Sequence, residues 1–267
     1  MKHLTLPKNT SGKDFIVGDL HGCYDDLMTA LDLIKFDFKN DRLFSVGDLI
    51  DRGKDSMKCL NLIYEDWFYA VLGNHEHMMV ESIVDQNRSS FQCWVQNGGC
   101  WHFNESEEEL KCIALDLKEL PRVITVEHKF HIVHAEITKR VLNMEIYHYD
   151  RIPVSDMTLF HWDFSEESEM DMLWGRDLIK ACYDYPKKAE LFQKDLMTTF
   201  CGHTQVSDVV KLGSQIYIDT GAYEYYTKNV ESVLTIAEPD AGMLHQYSIK
   251  NKTISSKKFE MMVDSKI

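Results

Sequence analysis

Residues 15–22 read Phe15-Ile16-Val17-Gly18-Asp19-Leu20-His21-Gly22. Three apolar residues, a glycine, then an acid and an imidazole two positions apart describe a buried strand that stops and delivers polar side chains at its exit. The arrangement returns twice. An apolar run at 43–46 ends in Gly47-Asp48-Leu49-Ile50-Asp51-Arg52-Gly53, and one at 68–72 ends in Gly73-Asn74-His75-Glu76. Helical spacing fills the intervals: Leu27, Ala30, Leu31 and Ile34, then Met57, Leu60 and Ile63, then Met79 and Ile83. Asp55 or Ser56 supplies a cap for the middle helix. This β-α-β-α-β succession predicts an α/β domain with parallel strands and right-handed crossovers. Open sheets of this kind carry their sites at the strand exits, where the acids and imidazoles stand.

Further along, positions 91–120 are amphipathic with helical spacing up to Pro121, and Glu105, Glu107, Glu108 and Glu109 belong to a solvated face. Strands are expected at 123–127, 130–133, 199–201, 215–218, 232–236 and 243–249. The stretch 138–169 is polar, aromatic and irregular, as a lid-like insertion would be. From 253 to 267 runs a Lys-rich tail whose order the sequence leaves open. With no Gly/Ser/Pro-rich linker, the 267 residues are expected to form one catalytic domain with a motif core at 15–222.

An apolar fraction of 44% is ample for a core, and a net charge of −14 argues against affinity for nucleic acid or anionic membrane. The seven cysteines lack paired zinc-type spacing and are expected as reduced, mostly buried thiols. Residues 1–14 hold no apolar signal core, and no run approaches the roughly 20 apolar residues of a membrane span. A cytoplasmic protein is expected; its oligomeric state is not legible.

In an extended backbone, positions i and i+2 project to one side, so Asp19 and His21 can address one cation. Asp48 ends the adjacent strand and can bridge to a second. Asn74 offers a neutral carbonyl oxygen, and His134 and His203 each close a later apolar run. Nitrogen and oxygen donors without thiolate suit Mn²⁺, Fe or Zn²⁺. Two divalent cations bring four positive charges, of which Asp19, Asp48 and a bridging hydroxide remove three, leaving a cationic pocket for a phosphate. A metal pair about 3.5–4 Å apart can ionise a bridging water for in-line attack. Arg52 adds a planar donor fork for phosphate oxygens. His75 is placed to protonate the leaving alkoxide, with Asp51 fixing its tautomer and raising its pKa. Taken singly, each residue also has a bland explanation as a turn former, cap or core histidine; their ordered recurrence at strand exits is what sets those aside.

These runs resemble the signature of the phosphoprotein phosphatase family of metallophosphoesterases: GDxHG, GDxxDRG and GNHE, then two single histidines. The chain is most similar to the compact bacterial and bacteriophage lambda-type serine/threonine phosphatases. Trp94 with Asn97-Gly98-Gly99, Leu120-Pro121 and Tyr217-Ile218-Asp219-Thr220-Gly221-Ala222 add to the likeness. The resemblance implies a calcineurin-like β-sandwich of two mixed sheets flanked by helices. It also implies two divalent metals, Mn²⁺ ahead of Fe or Zn²⁺: Asp19, His21 and Asp48 at the first, Asp48, Asn74, His134 and His203 at the second. It further implies His75 as general acid held by Asp51, with Arg52 on the substrate phosphate. Leu173-Trp174-Gly175-Arg176 resembles the run that carries the family's second phosphate-binding arginine, here Arg176. Where relatives usually carry Gly or Asp after the His-Ala pair, this chain has Glu136, an extra carboxylate expected near the metals.

The reading is therefore a metal-dependent phosphomonoesterase of phosphoserine and phosphothreonine proteins, with phosphotyrosine as a further candidate. Two alternatives stand beside it. One is a nucleotide hydrolase of the symmetrical diadenosine tetraphosphatase type, ranked second because those relatives typically lack an acid at the position of Asp51. The other is a pseudoenzyme that binds phosphorylated partners without turning them over.

Overall fold

The computed structural model describes residues 2–137, 164–184 and 197–259. The first part of the chain runs β1 (His3–Leu6), β2 (Asp14–Val17), α1 (Tyr24–Leu33), β3 (Arg42–Ser45), α2 (Ser56–Asn61), β4 (Phe68–Ala70) and α3 (Asn74–Ile83). Then come α4 (Arg88–Gln96), α5 (Glu107–Lys118), β5 (Val123–Val126), β6 (Phe130–Val133), α6 (Glu166–Trp174) and α7 (Asp177–Asp184). The last part holds β7 (Thr199–Cys201), β8 (Val210–Leu212), β9 (Gln215–Tyr217), α8 (Glu224–Lys228), β10 (Val233–Glu238), β11 (Met243–Ser248) and β12 (Thr253–Lys258).

These strands form two mixed six-stranded sheets, in the orders β1-β5-β6-β7-β9-β8 and β12-β11-β10-β2-β3-β4. The motif strands β2, β3 and β4 pair in parallel, with Phe15 opposite Leu43 and Leu43 opposite Phe68, as the crossover helices require. Alternation along each strand divides its side chains between two buried faces. Ile16 and Phe44 of one sheet meet Ile124, Phe130, Ile132 and Phe200 of the other in the seam between sheets. Phe15, Val17 and Leu43 point outward into a second core roofed by Leu27, Leu31, Leu60, Met79, Ile113 and Leu117 of the helices. Val123, Val133 and Tyr217 make a third core with Met172 and Ile179 of α6 and α7. Helices thus flank both sheets, the β-sandwich that the resemblance implied.

Several local expectations are revised. The 91–120 helix is two helices, α4 and α5, separated at Gly98, whose φ of +112° no helix accommodates. β1 lies within residues 1–14, where no strand is expected from the sequence, and β12 takes Thr253–Lys258 of the Lys-rich tail into a strand against β11. The expected lid-like stretch lies outside the described residues at 138–163, and its end enters α6. Six cysteines are free: Cys23, Cys59 and Cys201 are buried, Cys93 is half-buried, and Cys100 and Cys112 are exposed. No helix among the described residues is long and apolar enough to cross a membrane.

Candidate active site

Five strands end on one cluster. Asp19 follows β2, Asp48 follows β3, and Asn74 opens α3 just past β4; from the other sheet, His134 follows β6 and His203 follows β7. The turns that present them are strained. His21, Asp48, Asp51, Arg52 and His203 all have positive φ, between 40° and 74°. Non-glycine residues adopt this region at a cost of about 1–3 kcal/mol each, so the surroundings must impose it. Glu76 is one source of that constraint. Its Oε2 accepts the Asp48 and Gly73 amides at 2.9 and 3.0 Å, and its Oε1 accepts those of Leu49 and Ile50 at 2.8 and 3.3 Å.

Two groups of donor atoms, each within 4.8 Å of one another, share Asp48: His21, Asp48 and His75, and Asp48, His134 and His203. His21 Nε2 stands 3.5 Å from Asp48 Oδ2, and His134 Nε2 stands 3.4 Å from Asp48 Oδ1. Asn74 Oδ1 lies 2.8 Å from His134 Nε2 and 2.9 Å from His203 Nδ1. Asp19 joins neither group. Its carboxylate accepts the His203 amide at 3.1 and 3.2 Å, and a Cβ on Gly202 would fall 1.9 Å from Asp19 Oδ1, so only glycine permits that approach.

The hydrogen bonds fix which ring nitrogens are electron-rich. His21 Nδ1–H donates to the Ile50 carbonyl at 2.7 Å and His134 Nδ1–H to that of Val46 at 2.7 Å, leaving a lone pair on each Nε2. Metal-ligating histidines are held in this manner. The His134 lone pair then faces the Asn74 carbonyl oxygen, two electron-rich atoms at 2.8 Å that a shared cation would reconcile. His203 Nε2 is buried with no hydrogen-bond partner among the described residues. The donor set therefore fits divalent metal.

Electrostatics agree with that fit. Burial lowers the pKa of His21, with Arg52 and His75 adding to it, and burial likewise lowers His134. Burial pushes His203 down to about 2, with His134 adding to the effect. Neutral imidazoles are what ligation needs. Burial, then the nearby Asp219 and Asp48 charges, holds Asp19 well above the usual carboxylate range. Burial opposes ionisation of Asp48, but His134, His75, His21 and His203 outweigh it and hold its pKa below the ordinary value. Asp219, pushed up to about 6 chiefly by burial, is a further buried carboxylate at this end of the sandwich.

His75 Nδ1–H donates to Asp51 Oδ2, and burial notwithstanding, Asp48 and Asp51 raise the imidazole pKa. Arg52 Nη1 donates to His21 Nε2 at 2.6 Å, its Nη2 stands 3.1 Å from His75 Nε2, and its guanidinium lies 4.6 Å from the centre of the Tyr223 ring. Arg176 stands between α6 and α7 and donates to the His203 carbonyl at 3.3 Å. All ten residues singled out in the sequence thus stand at or against one site.

Glu136 has a structural role. It accepts the Leu178 and Ile179 amides at the start of α7, both at 2.9 Å, and the Tyr217 hydroxyl at 2.8 Å. It satisfies the amides that a helix N-terminus leaves unpaired and so tethers the segment that carries Arg176. Sequence reasoning also passed over Glu76 as more than a motif terminus, and over Asp219, Tyr223 and Trp101. Only Glu76 and Asp219 carried a signal, through the runs that contain them.

Comparison with known proteins accords with this geometry. Residues 15–234 match the calcineurin-like phosphoesterase family. Serine/threonine-protein phosphatase 2 of Escherichia coli (strain K12) is 34% identical over 239 residues, 88% of this chain and 92% of that protein. A symmetrical bis(5'-nucleosyl)-tetraphosphatase of Wigglesworthia glossinidia brevipalpis is 50% identical over 64 residues, 23% of this chain and 24% of that protein. Among solved structures, a putative diadenosine tetraphosphatase superposes with a TM-score of 0.59 at 19% identity, covering 97% of this chain and 98% of that one, which speaks for the fold. With its two sheets, its shared aspartate and its matched length, this chain belongs to the calcineurin-like phosphoesterase family and is related over most of its length to a bacterial serine/threonine-protein phosphatase.

Proposed function

We propose that this chain is a cytoplasmic, single-domain phosphomonoesterase that dephosphorylates phosphoserine and phosphothreonine in proteins, with phosphotyrosine as a lesser substrate. One observation carries the reading: two nitrogen–oxygen donor groups share Asp48, and His75 of one of them is paired with Asp51. Asp19, His21 and Asp48 would hold one divalent cation and Asp48, Asn74, His134 and His203 the other, with Mn²⁺ favoured. Bound there, the two cations would acidify water and neutralise charge on the phosphoryl oxygens.

The chain's own residues supply the rest. Arg52 turns its fork from His21 and His75 onto the phosphate oxygens, where a bidentate contact is strongest. Arg176 approaches the same group from the His203 side. His75, held by Asp51, gives the proton on Nε2 to the leaving oxygen as its bond to phosphorus breaks. The strain stored at Asp51 and Arg52 keeps both groups aimed before substrate arrives.

The tetraphosphatase relative, half identical over a short stretch, favours a second reading as a dinucleotide polyphosphate hydrolase. A side-by-side assay of a phosphothreonine peptide and diadenosine tetraphosphate, on chelator-stripped protein reloaded with Mn²⁺, separates the two. Faster cleavage of the peptide is expected. Faster cleavage of the dinucleotide reverses the order, and no turnover by fully loaded protein replaces both with a non-catalytic phosphate binder.

A further inference from the structure

Asp51 divides its two carboxylate oxygens between different kinds of partner. Oδ2 takes the His75 imidazole, whereas Oδ1 accepts two indole N–H groups, from Trp94 at 3.1 Å and Trp101 at 2.6 Å. The Asp51 amide is itself bound, to Ser56 Oγ at 3.0 Å, and the residue is wholly buried. An indole has one polar atom, a donor with no acceptor capacity. Trp94 and Trp101 therefore commit their entire hydrogen-bonding ability to a single oxygen.

The donors are rigidly held. The two indoles meet edge to face at 6.1 Å and 83°, and Trp94 stacks on His102 at 4.5 Å and 19°. Between them the chain turns at Gly98, where a Cβ would lie 2.9 Å from the Arg52 amide nitrogen and 3.4 Å from Asp51 Cβ. The break between α4 and α5 thus lays the indole pair directly against the left-handed Asp51-Arg52 step.

We propose that Trp94 and Trp101 are positioning residues that lock the Asp51 carboxylate so that its free oxygen aims the His75 ring at the leaving group. The proposal rests on the reading of His75 as proton donor. In that step water forms the new P–O bond and loses one proton to the medium. The ester P–O bond breaks, its electron pair leaves with the oxygen, and the His75 Nε2 proton moves to that oxygen. With Oδ1 unheld, the carboxylate rotates about χ2, a soft two-fold torsion, and His75 loses its aim. Were the two tryptophans only core fillers, removing an N–H while keeping a ring would change stability and nothing else.

Leaving-group dependence tells these apart, because a good leaving group needs no proton. Trp101→Phe is expected to slow phenyl phosphate hydrolysis by about 10–100-fold while 2,4-dinitrophenyl phosphate changes by less than about threefold. Asp51→Asn should show the same contrast more strongly, and Asp51→Asn combined with Trp101→Phe should be no worse than Asp51→Asn alone. Metal content and thermal midpoint are measured alongside. Should Trp101→Phe fold poorly, benzothienylalanine at position 101 keeps the bicyclic ring and deletes only the N–H. Equal loss on both esters, or none, with Asp51→Asn still discriminating, overturns the indole proposal and leaves the proton-donor reading standing. An Asp51→Asn variant that does not discriminate overturns that reading, and the proposal with it.

Discussion

His75 sits between opposing influences: burial disfavours its charge, and Asp48 and Asp51 restore it with enough to spare that its pKa lies above the ordinary 6.5. The sign is definite. A proton that the reaction needs on His75 persists above the usual imidazole range and is lost as pH rises through the raised value. Asp51→Asn removes one of the two acids, so the alkaline fall of kcat/KM should move to lower pH, with turnover at pH 8 down by about 10²–10⁴-fold. A profile of unchanged position would mean that Asp51 does not act through His75. At this scale the sequence was most eloquent where chemistry and local backbone coincide. Asp19, Asp48, Asn74 and the later histidines could be picked out because each follows an apolar run. The Trp101 donor could not, since its target is 50 positions away and only the turn at Gly98 brings them together.

Among elements, α7 illustrates how a departure from a family pattern can be structural. Glu136 at the exit of β6 binds the first free amides of α7, and Arg176 precedes that helix. Glu136→Ala should therefore remove the acceptor of two α7 amides and of the Tyr217 hydroxyl, costing about 1–3 kcal/mol of stability in urea unfolding. It should also raise KM for a phosphoester about tenfold, a loss of about 1.4 kcal/mol, as Arg176 loses its fixed base. A KM equal to that of the parent protein would count against the tether. Legibility among elements followed burial. β2, β3 and β4, apolar on both faces, announced themselves, whereas β1, β8 and β12 are short or solvent-facing edge strands with mixed patterns that tertiary pairing alone decides. Helical spacing at 91–120 holds within α4 and α5, while the close approach of Gly98 to Arg52 that separates them leaves no mark in the period.

Over the whole molecule, the two donor groups join both sheets: Asp48 and Asn74 come from one, His134 and His203 from the other. A cation bound there ties the sheets across their seam and binds only the folded chain. Stripping it with chelator should lower the thermal midpoint by about 5–10 °C, from about 2.7 kcal/mol of linkage at a hundredfold excess over Kd. The unfolding transition should stay single, because the seam is shared. Metal-independent melting would show that these donors are ornament. If phosphoproteins are the substrates, as proposed above, the charge of −14 would favour basic segments around the phosphorylated residue.

The order of synthesis meets an obstacle in this topology. β2, whose exit carries the first acid and imidazole, is flanked on its other edge by β10, with Ile236 opposite Val17. A ribosome delivers β2, β3 and β4 early, yet that flank stays bare until the chain beyond residue 238 has emerged. Nascent products that stop short of β10 thus display an unpaired apolar border along β2.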